Sequence, residues 1–134
     1  MFGPLAFLAA TVAVAAPSAV VIPVDQARTV AGVEVACTGI GQTRNDPRWA
    51  AYPVRVEVSD GRNEYLVGEV VSVGRPGSTP RFSVSCDAPW LLLKLEPGAW
   101  VVQARIKGAA GQRTATIHTP AKGQIRVVLQ FREL

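Results

Sequence analysis

The stretch from Asp87 to Gly108, DAPWLLLKLEPGAWVVQARIKG, decides the architecture of this chain. Trp90 to Leu95 is an apolar run of strand length. Glu96-Pro97-Gly98 ends it with a turn in which proline presets φ and glycine accepts the left-handed conformation. Beyond the turn, Trp100, Val102, Ala104 and Ile106 alternate with Val101, Gln103, Arg105 and Lys107. A period of two puts the first set on one strand face, toward a core. Trp90 and Trp100 flank the turn among apolar neighbours and read as packing residues.

The same grammar extends in both directions. In Tyr52 to Ser59, YPVRVEVS, Val54, Val56 and Val58 share one face and Arg55 and Glu57 the other, which describes a half-buried strand. Asp60-Gly61-Arg62-Asn63 is a turn, and a strand from Glu64 to Val73 follows, with Gly68 marking a bulge or a close approach. Gly74 to Pro80, GRPGSTP, must be a loop. Further strands are expected at Arg81 to Cys86, Gln112 to Thr119 and Gln124 to Phe131, the last pointing Ile125, Val127, Leu129 and Phe131 inward. About seven short strands with regular turn signals define an all-β, antiparallel sandwich. No long 3.6-residue apolar period occurs; a helical turn is expected only at Asp46 to Ala51, with Asp46 as cap and Pro47 at the first helical position.

On these residues the span Pro53 to Leu129 resembles a carboxypeptidase-regulatory-like domain, a prealbumin-like (transthyretin-like) β-sandwich. The resemblance rests on the apolar strand ending at Leu95, the Pro97-Gly98 turn, and Trp100, Val102 and Ala104 beyond it. Cys86-Asp87-Ala88-Pro89-Trp90 followed by this turn is also similar to a group of small exported bacterial proteins. Glu96 stands where a second proline is usual, and Trp100 where tyrosine is usual. The resemblance implies a fold and no particular activity, since such sandwiches serve many proteins as accessory modules.

Met1 to Val24 contains no charged residue. Leu5 to Val14 forms an apolar core, and Ala13-Val14-Ala15 has the small-x-small spacing of a cleavage site, so residues 1–15 read as a signal peptide. A retained membrane anchor is the rival reading, because Phe2 to Val24 offers 23 uncharged residues for a bilayer core of about 30 Å. Pro17 and Pro23 argue against it. Residues 16–30 read as a flexible lead-in and residues 31–134 as one sandwich domain. The expected location is the periplasm or the exterior, with no transmembrane span in the mature chain.

Two cysteines, Cys37 and Cys86, remain after such processing, and in an oxidising compartment they are expected to form a disulfide. A zinc site is disfavoured, because one histidine and two distant cysteines are not a clustered ligand set. His118 stands alone and reads as a strand-edge residue, so neither a zinc peptidase nor a nucleophile–histidine hydrolase is assembled from this sequence. The carboxylates are scattered, with Glu57, Glu64 and Glu69 read as solvated partners of Arg55 and Arg62. No catalytic, cofactor or metal residue is therefore assigned.

The charge balance, 14 Lys and Arg against 10 Asp and Glu, favours an anionic envelope polymer or partner. It carries no Lys/Arg run or module that would suggest nucleic acid. Arg44, Arg48, Trp49 and Tyr52 in RNDPRWAAY form the candidate binding surface, since arginine and aromatic residues anchor interfaces and stack on sugars. The competing reading is that Trp49 and Tyr52 cover one end of the sandwich. The expected function is a small exported non-catalytic module that binds an envelope protein or glycan. A structural subunit self-associating by strand edges is the alternative, and a small hydrolase the third.

Overall fold

Short runs of β-branched residues, punctuated by Gly, Pro and Asp turns, fold into ten strands among the described residues. In chain order they are β1 (Ala19–Ile22), β2 (Arg28–Val30), β3 (Val33–Thr38), β4 (Val54–Ser59), β5 (Glu69–Gly74), β6 (Phe82–Cys86), β7 (Trp90–Leu93), β8 (Gly98–Arg105), β9 (Arg113–Thr119) and β10 (Ile125–Gln130). Two 3₁₀ turns, Gly41–Asn45 and Pro47–Ala51, separate β3 from β4. The structure is a computed structural model and describes residues 17–62 and 64–134, with Gly3 alone ahead of them. The expected signal peptide at 1–15 lies, Gly3 apart, outside the described residues. Among the described residues no helix is long and apolar enough to cross a membrane.

The strands form two five-stranded sheets, a first ordered β1-β6-β5-β8-β9 and a second ordered β10-β4-β7-β3-β2. This is all-β, as expected, but it is not a seven-stranded antiparallel sandwich. Each sheet is mixed, because β1 runs parallel to β6 and β10 runs parallel to β4. Alternation of side chains reports which face a residue occupies and is silent about the direction of the neighbouring strand.

The lead-in expected at 16–30 is corrected in the same way. Ile22 is buried and pairs with Cys86 in the first sheet, and two residues later Val24 bridges Cys37 in the second. The chain thus changes sheets at Pro23. In the sequence this stretch merges with the apolar N-terminal run, so its pairing left no separate mark.

Between the sheets the inward rows meet. Val71, Val73, Val84, Trp100 and Val102 from the first sheet pack against Val35, Val54, Val56, Leu91 and Leu93 from the second. Trp100 lies in this core as expected, with its indole N–H donating to the Glu96 carbonyl at 2.9 Å and the Arg75 guanidinium stacked 3.7 Å from its ring centroid. The Pro47–Ala51 turn also forms where expected, and Asp46 caps it by accepting from the Arg48 N–H at 3.0 Å. The strand expected from Glu64 begins only at Glu69. Gly68 precedes it at φ +82 with open space where a Cβ would sit, so it serves backbone conformation and not close packing.

Cys37 on β3 and Cys86 on β6 are joined, with Cα atoms 5.7 Å apart, and the bridge ties one sheet to the other. It closes a span of 49 residues, for which chain entropy assigns roughly 4 kcal/mol of stabilisation. Reduction, or the paired change Cys37→Ala and Cys86→Ala, should lower the stability of the native fold by about 2–4 kcal/mol in urea titration. Equal midpoints for oxidised and reduced protein would contradict this.

Beside the bridge sits an unpaired carboxyl group. Glu69 continues the inward row of Val71 and Val73, is in register with Cys86, and is fully buried with no hydrogen-bond partner on either oxygen among the described residues. It is not the solvated partner of an arginine that its sequence context suggested. Burial, reinforced by the Asp87 carboxylate, pushes its carboxyl up to about 8 from an ordinary 4.5. The folded protein therefore holds a proton that the unfolded chain releases, and stability should be full below the unfolded value and fall as pH rises toward 8. Glu69→Gln should remove this loss, on the order of a few kcal/mol between acid and alkaline conditions, as read from urea midpoints across pH. Parallel pH profiles for the two proteins would refute it.

Candidate functional site

The outer face of the second sheet follows from the other half of each alternating pattern. Val54, Val56 and Val58 point inward on β4, so Arg55 and Glu57 point outward, with Arg126 and Val128 of β10 on one side and Leu92 and Trp90 of β7 on the other. Trp90 is thus buried as expected, but on this outer face and not between the sheets, since Leu91 and Leu93 take the inward positions.

Glu57 is 0% exposed and charged. Arg126 grips it with Nε and Nη2, the latter at 3.0 Å from Oε1. Arg55 brings Nε to 2.9 Å from Oε2 as a charge contact, without an aligned hydrogen bond. Burial alone pushes the carboxyl up. Hydrogen bonds from Arg126 and Tyr65 and the two guanidinium charges outweigh it and hold Glu57 below the ordinary carboxylate value. Two cations around one anion leave the triad with a net positive charge.

The aromatic residues are fixed by this group. The Arg55 guanidinium lies 4.2 Å from the Trp90 ring centroid, and Tyr65 meets Trp90 edge to face at 6.4 Å. Behind the indole stands Gly39, at φ +106, where a Cβ would come within 2.8 Å of the ring. Only glycine fits there, in both conformation and space. Trp90 Nε1 is buried without a hydrogen-bond partner among the described residues.

Two clefts open beside the triad. One, of about 220 Å³, is lined by Ser59, Tyr65, Arg126, Val128 and Gln130 among others. The second, also about 220 Å³, lies against Arg44, Asn45, Arg55, Trp90 and Gln124. Tyr65 and Val128 are among the few large apolar side chains left exposed.

Of the residues singled out in the sequence, Arg44 and Trp49 line the second cleft, and Arg48 and Tyr52 do not. Arg44 and Arg48 are exposed, but Trp49 and Tyr52 are only 4% and 3% exposed and pack with Ala36 and Leu92 in a small cluster on the outer face. Gln124 clamps this segment by donating to the carbonyls of Trp49 and Tyr52, each at 2.9 Å. Arg48 is engaged with Asp46 at 3.1 Å, with the Asp25 carbonyl at 3.0 Å and with the Trp49 ring. Of the four residues, Arg44 alone combines exposure with a place on the cleft wall.

Arg55, Glu57, Tyr65, Trp90 and Arg126 were not marked as a site by the sequence. Arg126 is 69 positions from Glu57, and nothing local announces that β10 lies beside β4. The available signal was the outward pair Arg55 and Glu57, a charge pair alternating with three valines on one strand.

No other clustering suggests chemistry. Among the described residues no group of three or more His, Cys, Asp or Glu is placed to hold a metal ion. His118 is exposed on edge strand β9. No protein-family model and no curated protein sequence matches the chain.

Because Glu57 titrates below its unfolded value, its stabilisation is present above that value and is lost as pH falls through the folded one. Glu57→Gln should therefore flatten the acid limb of the stability profile. Arg126→Met leaves the buried charge with Arg55 only and should cost about 2–3 kcal/mol at pH 7, less in acid. An Arg126→Met cost that does not shrink as pH falls would show that the loss is packing and not charge.

Proposed function

We propose that this protein is a small exported, non-catalytic β-sandwich that binds an envelope protein or polymer through the outer face of its second sheet. One observation carries the reading. Arg55, Arg126, Trp90 and Tyr65 are locked around a single buried carboxylate, with an open cleft on either side. Tyrosine and arginine held rigid and partly open to solvent, here backed by a buried tryptophan, are among the residues from which binding hot spots are built. The carboxylate at the centre is held ionised by two guanidinium groups, which suits a scaffold and not a proton-transfer group.

Export is supported by the disulfide that crosses the core, since such bonds persist in oxidising compartments. The uncharged N-terminal stretch points the same way. A carboxypeptidase-regulatory-like classification belongs to the same proposal; its support is the Pro97-Gly98 turn and the inward Trp100, set in a two-sheet sandwich.

A second reading, assembly through strand edges, is favoured by β1. It is an edge strand, and Val20 and Val21 are exposed on it. Sedimentation over a hundredfold concentration range separates the two readings, because edge assembly requires a rising mass.

The binding reading is tested by in-cell crosslinking and capture with the full chain, alongside a Tyr65→Ala, Arg44→Gln variant. Both side chains are exposed, so the fold should survive the changes. A specific partner whose recovery drops at least about tenfold in the variant is expected. Equal recovery by both proteins would remove this face from consideration.

A further inference from the structure

We infer that the ligand of this face is a chain of acidic sugars, with a carboxylate seated on Arg126 and Arg55 and neighbouring rings in the two clefts. The inference rests on the binding reading above and adds the chemistry of the partner.

The first ground is an excess of oriented donors. A guanidinium carries five N–H groups. Arg126 uses only Nε and Nη2 on Glu57, and Arg55 contacts it only through Nε. The remaining donors of both find no other hydrogen-bonded acceptor side chain among the described residues apart from the Tyr65 hydroxyl near Arg126. Arg126 is 55% exposed, so its free edge faces solvent. Glu57 fixes that edge in place, which lowers the entropy lost on binding a second carboxylate. A planar fork so held matches a carboxylate better than a point charge would.

The second ground is the form and lining of the clefts. Arg55 and Arg126 are register neighbours on β4 and β10, and the clefts lie one to each side of them. Each is smaller than the range of about 300–1,000 Å³ usual for drug-sized ligands and suits a single ring. Each wall combines uncharged hydrogen-bonding groups with an aromatic: Ser59 and Gln130 with Tyr65 in one, Asn45 and Gln124 with Trp90 in the other. The Gln124 amide nitrogen is spent on two backbone carbonyls, which leaves its oxygen to accept from a hydroxyl. Hydroxyl-rich rings joined by an acidic group fit this alternation. An extended acidic peptide would instead seek an open strand edge.

The test uses the full chain and a defined oligogalacturonate, with binding followed by calorimetry and tryptophan fluorescence at low salt. A malto-oligosaccharide of equal length, inorganic polyphosphate and poly-glutamate serve as comparison ligands. The acidic oligosaccharide should bind, weaken as salt rises, and lose at least about tenfold in affinity with Tyr65→Ala or with Arg44→Gln. Arg44→Gln leaves the buried charge undisturbed, and Tyr65→Phe, which loses only the hydroxyl's bond to Glu57, separates that loss from loss of the ring. The double change Glu57→Gln, Arg126→Gln removes the fork, leaves no buried carboxylate unpaired, leaves Arg55 without its ion pair, and should abolish binding, while Arg81→Gln, just ahead of β6 on the first sheet, should not alter it.

Equal binding of the neutral sugar would overturn the inference, as would equal binding of polyphosphate and poly-glutamate, which would make the site a charge detector only. If oligogalacturonate fails to bind while partner capture in cells still depends on Tyr65, the sugar chemistry falls and the binding face stands. If both fail, the face itself is not a binding site.

Discussion

The covalent tie between Cys37 and Cys86 is the constraint around which the sandwich is arranged. It is the one point where β3 of the second sheet and β6 of the first are joined by a bond and not by packing alone. The N-terminal segment threads past it, pairing with Cys86 through Ile22 and with Cys37 through Val24. A domain of this size has a limited core, and a cross-link between its layers keeps the inward valines of both sheets in contact. The same location explains how a carboxyl group such as Glu69 persists inside. Buried without a hydrogen-bond partner among the described residues, it costs stability in either form and far more when ionised, so the proton is retained.

Outside the core, the second sheet solves a different problem. β7 is apolar at every position, so both of its faces require cover. The segment from Gly41 to Tyr52 supplies part of that cover with Trp49 and Tyr52, pressed on Ala36 and Leu92 and secured by Gln124. Over Trp90 the cover is made by Arg55 and Tyr65, and the charge of Arg55 is balanced by Glu57. An arginine used as a lid retains free donors at its rim. The proposed binding face is thus a by-product of how an apolar strand was shielded without further hydrophobic residues.

Much of this was legible from local pattern. The Asp46 cap with Pro47, the Asp60-Gly61 turn, the Pro97-Gly98 turn and the inward rows of β4 and β8 were readable, because each depends on residues within a few positions of one another. The pairing of β1 was not, since its apolar residues run together with the N-terminal stretch; β3 was passed over although Val33, Val35 and Cys37 alternate within it. Trp49 and Tyr52 illustrate the limit within the candidate site. Arginine beside aromatic residues marks an interface and a packed cover equally well, and only the position of Leu92 beneath them separates the two.

Composition and period by themselves determined the all-β class, the turns, the inward faces and the two cysteines available for a bond, because these rest on backbone preference and nearest-neighbour alternation. Tertiary structure alone decided that the sheets are mixed, that Glu69 is buried without a partner among the described residues, and that Arg126 meets Glu57 across 69 residues. Those outcomes depend on which strands become neighbours. Side-chain alternation fixes the face a residue takes, whereas strand order is set by the closing of the whole core.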